Sequence, residues 1–181
     1  MKVTPGCFLV SRPAMVDPNF DGTVVLVCTH DEEGTVGLTL NRPLEVPIES
    51  VLPDANFLHD AGVPLLWGGP VGQDCLHVLS GPDGDAESVM PVLPGVHFGG
   101  SLELVRRVFQ GEGDLRFYLG YSGWSAGQLD EELAAEAWHV LPGVPEEVWS
   151  LDWRLMWERL MATVDPRYGW MSQMPDDPEV N

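Results

Sequence analysis

The sequence predicts one globular domain in which short β-strands are combined with a few helices. The run from Thr23 to His30 is continuous, apolar and β-branched, which is typical of a strand buried on both faces. Apolar residues from Trp153 to Met161 instead recur at helical spacing. The chain has 181 residues, 44% of them hydrophobic, with no repeat or linker that would divide it. We therefore expect a single domain over residues 1–181, with an irregular tail from about residue 166.

The N-terminal part of the chain predicts three strands. A first short strand lies in the segment PGCFLVSRP and is closed by Pro13. Residues 23–30 form the second strand and residues 35–40 the third. The intervening loop, residues 31–34, has the length of a hairpin turn and ends in glycine, so we expect these two strands to pair.

Residues 44–100 predict a loop-rich region. Prolines among polar residues allow at most one short helix, around Ile48 to Leu52. Gly, Pro and Asp then separate brief apolar runs that we interpret as strands. These runs are residues 65–70, 75–80, 89–93 and 96–98.

Two amphipathic helices are predicted outside the central segment. Ser101 is expected to cap the first, and Gly111 to end it. The second follows a connector over residues 142–145. The inward-facing residues are predicted to be Leu102, Val105, Val108 and Phe109 in the first helix, and Trp153, Met156, Trp157, Leu160 and Met161 in the second.

The segment over residues 115–140 carries most of the functional interpretation. Alternating apolar residues at its start predict a buried strand, and three glycines then predict a sharp corner into a helix. Ser125 is predicted to N-cap that helix, with Gln128 reaching back in an S-x-x-Q capping box. A short return strand follows. The corner glycines are Gly120, Gly123 and Gly127. The helix residues predicted to face inward are Ala126, Leu129, Leu133 and Ala137. The acidic residues of the helix are Asp130, Glu131, Glu132 and Glu136.

The charge of the chain argues against direct binding of nucleic acid. Asp and Glu number 28 against nine Lys and Arg, which gives a formal net charge of −19. Nucleic-acid affinity depends largely on cationic side chains that displace counterions from phosphates. This chain has a single Lys, and its only basic pair is Arg106-Arg107. We therefore expect no direct nucleic-acid partner.

The cysteine pattern and hydropathy favour a cytoplasmic protein without membrane insertion. Cys7, Cys28 and Cys75 are an odd number of cysteines within apolar runs, which favours reduced core thiols over a disulfide framework. The sequence shows no signal peptide, and no apolar stretch approaches the roughly 20 residues that a membrane-spanning helix needs.

Four segments of the chain, in order, match a known pattern: PGCFLVSRPAMVDPNFDGTVVLVCTHDEEGTVGLTLNRP, WGGPV, LGYSGWSAGQLDEELAAEAWHVLP and PDDPEVN. In this register they resemble the AlgH/YqgE family of bacterial proteins. The resemblance implies an α+β fold in which a branched, mixed β-sheet curls into a partial barrel with helices packed outside. Family members are often labelled transcriptional regulators, but the family has neither an established activity nor a recognised DNA-binding motif. The chain departs from the family pattern between Glu45 and Val63 and after GGPV.

A serine hydrolase is the alternative function that a motif suggests. Residues 123–127 match G-x-S-x-G between a predicted strand and a predicted helix, which is the context of a nucleophile elbow at Ser125. The only later histidine, His139, is expected at the far end of the same helix. At about 1.5 Å per residue the helix would separate the two by roughly 20 Å. Relatives also tend to carry Gly at the position of Ser125, so we favour the helix cap.

Two C-x-H units are a weaker metal candidate. Cys28 and His30 lie on one predicted strand, and Cys75 and His77 on another. The i, i+2 spacing puts both side chains of a unit on one sheet face, which would suit a tetrahedral zinc site. The alternative is two core cysteines near unrelated histidines, which we favour. Glycine-rich WGGPVG and HFGG lack phosphate-loop spacing, so we expect no cofactor.

The remaining candidates are polar residues at predicted strand ends, which would rim one binding pocket if the two motif regions are neighbours. Each also has a structural alternative: Arg42 pairing with an acid such as Asp17, and Asn41 closing the turn before Pro43. Trp124, between two glycines, is a candidate exposed anchor. The candidates are His30, Asn41, Arg42, Tyr121, Ser122, Trp124 and Gln128. We therefore expect a non-enzymatic regulatory or adaptor protein that binds a protein or small ligand.

Overall fold

A computed structural model describes residues 1–58, 62–81, 89–111 and 113–168. Within these ranges the fold is α+β, as the resemblance implied. The strands are β1 (Cys7–Ser11), β2 (Val24–His30), β3 (Gly34–Thr39), β4 (Leu65–Trp67), β5 (Val71–Ser80), β6 (Met90–Leu93), β7 (Val96–Phe98), β8 (Leu115–Ser125) and β9 (Trp138–Pro142). The helices are α1 (Leu102–Gln110), α2 (Gln128–Ala134), α3 (Pro145–Trp149) and α4 (Met156–Val164), with 3-10 turns at Ile48–Ser50, Asn56–Leu58 and Pro166–Tyr168.

The strands form one branched, mixed sheet. Its main path runs β6-β7-β5-β8-β3-β2-β1-β9 with antiparallel neighbours, and β4 joins β8 in parallel off this path. The long strand β8 is the branch point. Its first half pairs with β5 and β4, and its last four residues pair with β3. The predicted β2–β3 hairpin is confirmed, with a bulge at Cys28.

The sheet curls so that its two ends approach each other. Gly6 precedes β1 near one end, yet a Cβ atom there would lie 2.5 Å from the carbonyl oxygen of Val92 in β6, at the other end. The position has φ +86°, so glycine meets both requirements. The ladders of the described residues leave the sheet open, and the result is a partial barrel.

Helices pack outside the sheet and complete its core. The inner face buries residues of both ends of the sheet together with Met156 and Leu160 of α4. The helix α1 buries Val105 and Val108 against β4, β5 and β8. Tryptophans and Leu129 of α2 pack against the outer side of β1 and β2. No helix within the described ranges has both the length and the apolar character to cross a membrane.

The predicted glycine corner is wrong, because β8 continues through it to Ser125. Residues 122–125 pair with residues 34–37 of β3, and these ladder hydrogen bonds outweigh the local preference of glycine for a turn. The helix α2 starts only at Gln128, with Gly127 in a left-handed conformation as its N-cap. Ser125 is therefore not the N-cap, Ala126 and Ala137 lie outside the helix, and His139 lies in β9.

Other predicted elements are confirmed with changes. Ser101 caps α1, its hydroxyl accepting from the backbone N–H of Leu104 at 3.2 Å. Leu102 is 43% exposed rather than inward, because it begins the first turn on the solvent side. The short helix α3 begins at Pro145, where the predicted connector ends, and β5 starts at Val71, four residues early. In the tail, residues 169–181 lie outside the described residues.

Candidate functional site

Two adjoining cavities lie beside the loop of the β2–β3 hairpin and the end of β8. Their volumes are about 430 and 480 Å³, which is within the range of ligand-binding pockets. Both are lined by Asp31, Gly34, Thr35 and Ser125. We call the pair the hairpin cleft.

Local hydrogen bonds fix the rim of the hairpin cleft. The Asp31 carboxylate accepts from the backbone N–H groups of Glu33 and Gly34 at 2.8 and 3.2 Å, closing the hairpin loop as an Asx turn. The β3–β8 ladder then places Gly34 opposite Ser125. The loop and the strand end are thus held side by side by groups far apart in sequence.

His30 and Tyr121 line different cavities of the hairpin cleft. His30 lines the second cavity, and its Nδ1 is hydrogen-bonded to Thr35 Oγ1 at 2.7 Å. Tyr121 lines the first cavity, where its ring meets the ring of His77 edge-on at 5.6 Å. His77 also stacks on Phe98, and burial lowers the pKa of its imidazole. Tyr121 is thereby oriented by a neutral aromatic neighbour.

Trp124 is an internal residue, so its prediction as an exposed anchor is wrong. Its side chain is 4% exposed and stacks on Phe20 at 6.0 Å. Its Nε1 donates to Glu132 Oε2 at 2.9 Å, and the same oxygen accepts from Trp138 Nε1 at 2.8 Å. The sequence identifies Glu132 only as one of the acidic residues of the predicted helix. The two indole N–H donors explain why the carboxylate of Glu132 turns inward.

Gln128 connects the strand end to the helix. Its Oε1 accepts from the backbone N–H and the hydroxyl of Ser125, at 3.1 and 3.2 Å. Its Nε2 donates to Glu132 Oε1 at 3.0 Å, which fixes the orientation of the amide. Gln128 thus makes its predicted half of the capping box, whereas the half predicted for Ser125 is not formed.

The geometry around Ser125 does not form a hydrolase triad. Its hydroxyl donates to an amide oxygen, which is not a general base. His139 instead accepts from Arg12 Nε at 3.2 Å and lines a different cavity with that residue. His30 lines the same cavity as Ser125, but its Nδ1 is bonded to Thr35. The G-W-S-A-G match therefore reflects a strand end and a helix start.

The AlgH-like family model matches residues 8–169. The chain belongs to the AlgH-like family. A UPF0301 protein of Chlorobaculum tepidum is 33% identical over 98% of this chain and 95% of its own length. A UPF0301 protein of Chlorobium chlorochromatii is 34% identical over 99% of this chain and 96% of its own length. These matches confirm the resemblance to AlgH/YqgE proteins.

Two solved structures are similar to this AlgH-like chain over nearly its whole length. The solution structure of the AlgH protein from Pseudomonas aeruginosa has a TM-score of 0.76 and 27% identity, covering 98% of this chain and 100% of that one. The crystal structure of a Corynebacterium diphtheriae protein has a TM-score of 0.81 at 21% identity, covering 96% of this chain and 94% of that one. The α+β fold is confirmed, while the family remains uncharacterised.

Three other candidates of the AlgH-like chain have structural partners. Ser122 is fully buried and donates to the carbonyl of Gly68 at 3.0 Å. Asn41 accepts from the backbone N–H of Val24 and donates to the carbonyl of Gly22, at 2.9 and 2.8 Å. These bonds tie the residue that follows β3 to the start of β2, instead of closing the turn before Pro43. The guanidinium of Arg42 donates to the carbonyl of Asp21.

The structure does not bring all predicted binding residues to one pocket. His30 and the loop lie at the closed end of the hairpin, whereas Asn41 and Arg42 follow β3 at its open end. At about 3.3 Å per residue, β3 separates the two groups by roughly 20 Å. Asn41 and Arg42 line a third cavity, with residues of α4. The sequence could not decide this, because chain order alone does not show which strand ends meet.

The four candidate metal ligands of the AlgH-like chain are not assembled. Cys28 is completely buried, and burial raises the pKa of its thiol, whereas Cys75 is exposed on β5. In the sheet order β3 and β8 stand between β2 and β5. No group of three or more metal-ligating side chains is present within the described part of the chain. The expectation of a core thiol holds for Cys7 and Cys28 and is wrong for Cys75.

Proposed function

We propose that this AlgH-like protein is a non-enzymatic regulatory or adaptor protein that binds a partner protein in the hairpin cleft. The observation that carries the proposal is the paired cavity with a rim held by the Asx turn at Asp31 and the pairing of Gly34 with Ser125. A preorganised surface loses little conformational freedom on binding, which favours recognition. The family provides no competing activity.

The chemistry of the rim favours a cationic occupant. Asp31 and Glu33 line the first cavity, and Glu32 and Asp130 line the second with Asp31. The whole chain carries a formal charge of −19, so the same sign of field surrounds the cleft. A basic segment of a partner protein is complementary to such a rim, and a nucleic-acid phosphate is not.

Binding is also favoured over catalysis by the partners of Ser125. The hydroxyl contacts the Gln128 amide, and the Gln128 amide is held in turn by Glu132. This chain of hydrogen bonds positions the strand end. It offers no group that would take a proton from the serine.

The proposal is tested by site-specific photo-crosslinking in cells. A photoreactive residue at Ala126, exposed beside Ser125, should capture a partner, and one at Gln110, exposed at the end of α1, should not. The double change Glu32→Lys, Glu33→Lys should abolish capture through charge repulsion. Glu103→Lys, Glu146→Lys is the matched control at exposed helical positions and should leave capture unchanged.

Two outcomes would contradict the proposal. Equal capture by the hairpin variant and its control would show that the acidic rim is not the contact. A small molecule retained in native mass spectrometry of the parent, and lost from the hairpin variant, would assign the cleft to a ligand instead of a protein.

A further inference from the structure

One face of the sheet forms an apolar floor in the first cavity of the hairpin cleft. Strand pairing sets Val36 of β3 opposite Gly123 of β8, and Val71 of β5 opposite Tyr121 of β8. Directly paired residues point to the same face of a sheet, and so do residues two apart along one strand. These four residues therefore share one face, and all of them line the cavity of about 430 Å³.

The ring of Tyr121 lies over the glycine of this floor. A Cβ atom at Gly123 would lie 2.9 Å from Cε2 of Tyr121, which is closer than carbon atoms pack. The other edge of the ring is next to Gly72, where a Cβ atom would lie 3.5 Å from Cε1. Tyr121 is half-buried in this position. An aromatic ring is thus part of the cavity wall.

The charge beside this floor has a single sign. Asp31 and Glu33 are exposed, and the described residues that line the cavity include no Lys, Arg or His. Neither carboxylate forms an ion pair within the described ranges. The loop backbone uses only Oδ1 of Asp31. Oδ2 of Asp31 and the carboxylate of Glu33 therefore have no cationic partner in the chain.

We propose that the first cavity receives an arginine side chain of the partner protein, with its guanidinium against the ring of Tyr121. The inference rests on the proposed function, because it names the residue with which a basic segment enters the hairpin cleft. The methylene stem of arginine suits the apolar floor, and its planar cation is attracted to an aromatic face. Its N–H groups donate to the carboxylates of Asp31 and Glu33.

Lysine is the other cation that a basic segment offers, and this cavity discriminates against it. The lysine ammonium is a compact, strongly hydrated charge that does not stack on a ring. Because Asp31 and Glu33 are exposed, an arriving cation is only partly desolvated, which favours the more weakly hydrated guanidinium. We expect arginine to bind about threefold more tightly than lysine.

The ring signals of Tyr121 report binding directly. The chain has three tyrosines, so ¹³C-labelled tyrosine gives three sets of ring signals, and Tyr121→Leu identifies one set by removing it. Tyr118 is fully buried and Tyr168 lines a different cavity, so both are internal references.

The probes are the peptide acetyl-Gly-Ala-Arg-Ala-Gly-amide and its counterparts with lysine or with citrulline, the neutral isostere of arginine. The arginine peptide should shift the Tyr121 signals saturably, with a dissociation constant in the millimolar range. The lysine peptide should bind about threefold more weakly, and the citrulline peptide at least about tenfold more weakly.

Substitutions test the assigned contacts, with affinities measured from the backbone N–H signals of Gly34 and Gly123. Tyr121→Leu should weaken the arginine peptide about threefold and remove its advantage over lysine, whereas Tyr121→Phe keeps the aromatic face and should keep both. Tyr168→Leu is the matched control, because Tyr168 is also half-buried and also meets an aromatic ring edge-on.

Glu33→Gln tests the charge contact at an exposed position, where the change does not disturb the core. It should weaken the arginine peptide about threefold or more, because it removes a charge-assisted contact. Glu103→Gln removes the same charge from an exposed position of α1 and should leave the affinity unchanged.

The inference is overturned if the arginine peptide does not shift the Tyr121 signals, or if the lysine or citrulline peptide binds as tightly. Equal effects of Tyr121→Leu and Tyr168→Leu, or of Glu33→Gln and Glu103→Gln, would also overturn it, because they would indicate a general change in folding or net charge. Photo-crosslinking at Ala126 is measured separately. Capture that depends on the acidic rim, without a shift of Tyr121, would overturn this inference and leave the proposed function standing.

Discussion

At the residue scale, Glu132 joins the strand β8, the helix α2 and the strand β9. One carboxylate oxygen accepts from the indoles of Trp124 and Trp138, and the other accepts from Gln128. Both indole rings are buried, so their N–H groups depend on this single acceptor. A residue on the acidic face of a helix thus stabilises the outer core.

Glu132→Ala should therefore lower the free energy of unfolding by about 2–4 kcal/mol, because it leaves two buried donors unpaired. Glu131→Ala, at the neighbouring exposed position, is the matched control and should cost less than about 0.5 kcal/mol. Urea unfolding followed by tryptophan fluorescence measures both. Equal losses in the two variants would show that the indoles find other partners.

Ser125→Ala should cost less than about 0.5 kcal/mol, since the backbone N–H of residue 125 keeps its bond to Gln128. Thermal unfolding measures the change. The parent protein should also stay unlabelled by a fluorophosphonate probe, because no base among the described residues contacts the hydroxyl, which donates to the Gln128 amide oxygen. Labelling that disappears in Ser125→Ala would support the hydrolase alternative.

The pH dependence of stability should include a contribution from His77. Burial lowers the pKa of its imidazole, so below about pH 6.5 the unfolded chain takes up a proton that the folded chain resists. The free energy of unfolding therefore falls as pH decreases through this range. His77→Phe keeps the stacking on Phe98 and should lose less stability than the parent between pH 7 and pH 5 in urea titrations. Parallel curves for the two proteins would contradict this.

At the element scale, the start of α2 depends on a backbone conformation rather than on a side-chain cap. Gly127 has φ +79° and makes no side-chain cap bond, and the space around its Cα is open. The substitution Gly127→Ala therefore tests backbone strain without a steric clash.

Gly127→Ala should destabilise the protein by about 1–2 kcal/mol, because a Cβ atom disfavours the left-handed conformation. Gly127→Asn should cost less, since Asn tolerates this region better. Thermal unfolding of both variants beside the parent measures the order of stability. Alanine equal to or better than asparagine would show that the helix start has shifted to relieve the strain.

At the scale of the whole molecule, the excess of acidic residues determines which partners can approach. With 28 acidic and nine basic residues, the long-range field repels polyanions. The regulator label often given to family members thus does not require contact with DNA.

The protein should not bind duplex DNA appreciably at physiological salt. An electrophoretic mobility shift titration into the high micromolar range should leave the duplex free, and lowering the salt should not produce a specific band. Salt-sensitive binding with a dissociation constant of roughly micromolar or below would be incompatible with this expectation.

The sequence by itself determined the elements whose signals are local. Three such features depend only on neighbouring residues, and the sequence predicts each of them. They are the β-branched run of β2, the glycine-ended loop 31–34 and the Ser101 cap of α1. The branched sheet and its curl came from the resemblance to a family. The charge balance, and what it excludes, also follows from composition alone.

Only the tertiary structure decided how far β8 extends, where Trp124 points and that the predicted binding residues lie at both ends of the hairpin. The end of β8 is paired with Gly34, and the indole of Trp124 is satisfied by Glu132. Arg42 lies at the other end of β3 from His30. In each case the partner is a residue or strand end whose position the local pattern does not encode. Backbone pairing and burial outweigh local propensity because every buried N–H and C=O must be satisfied.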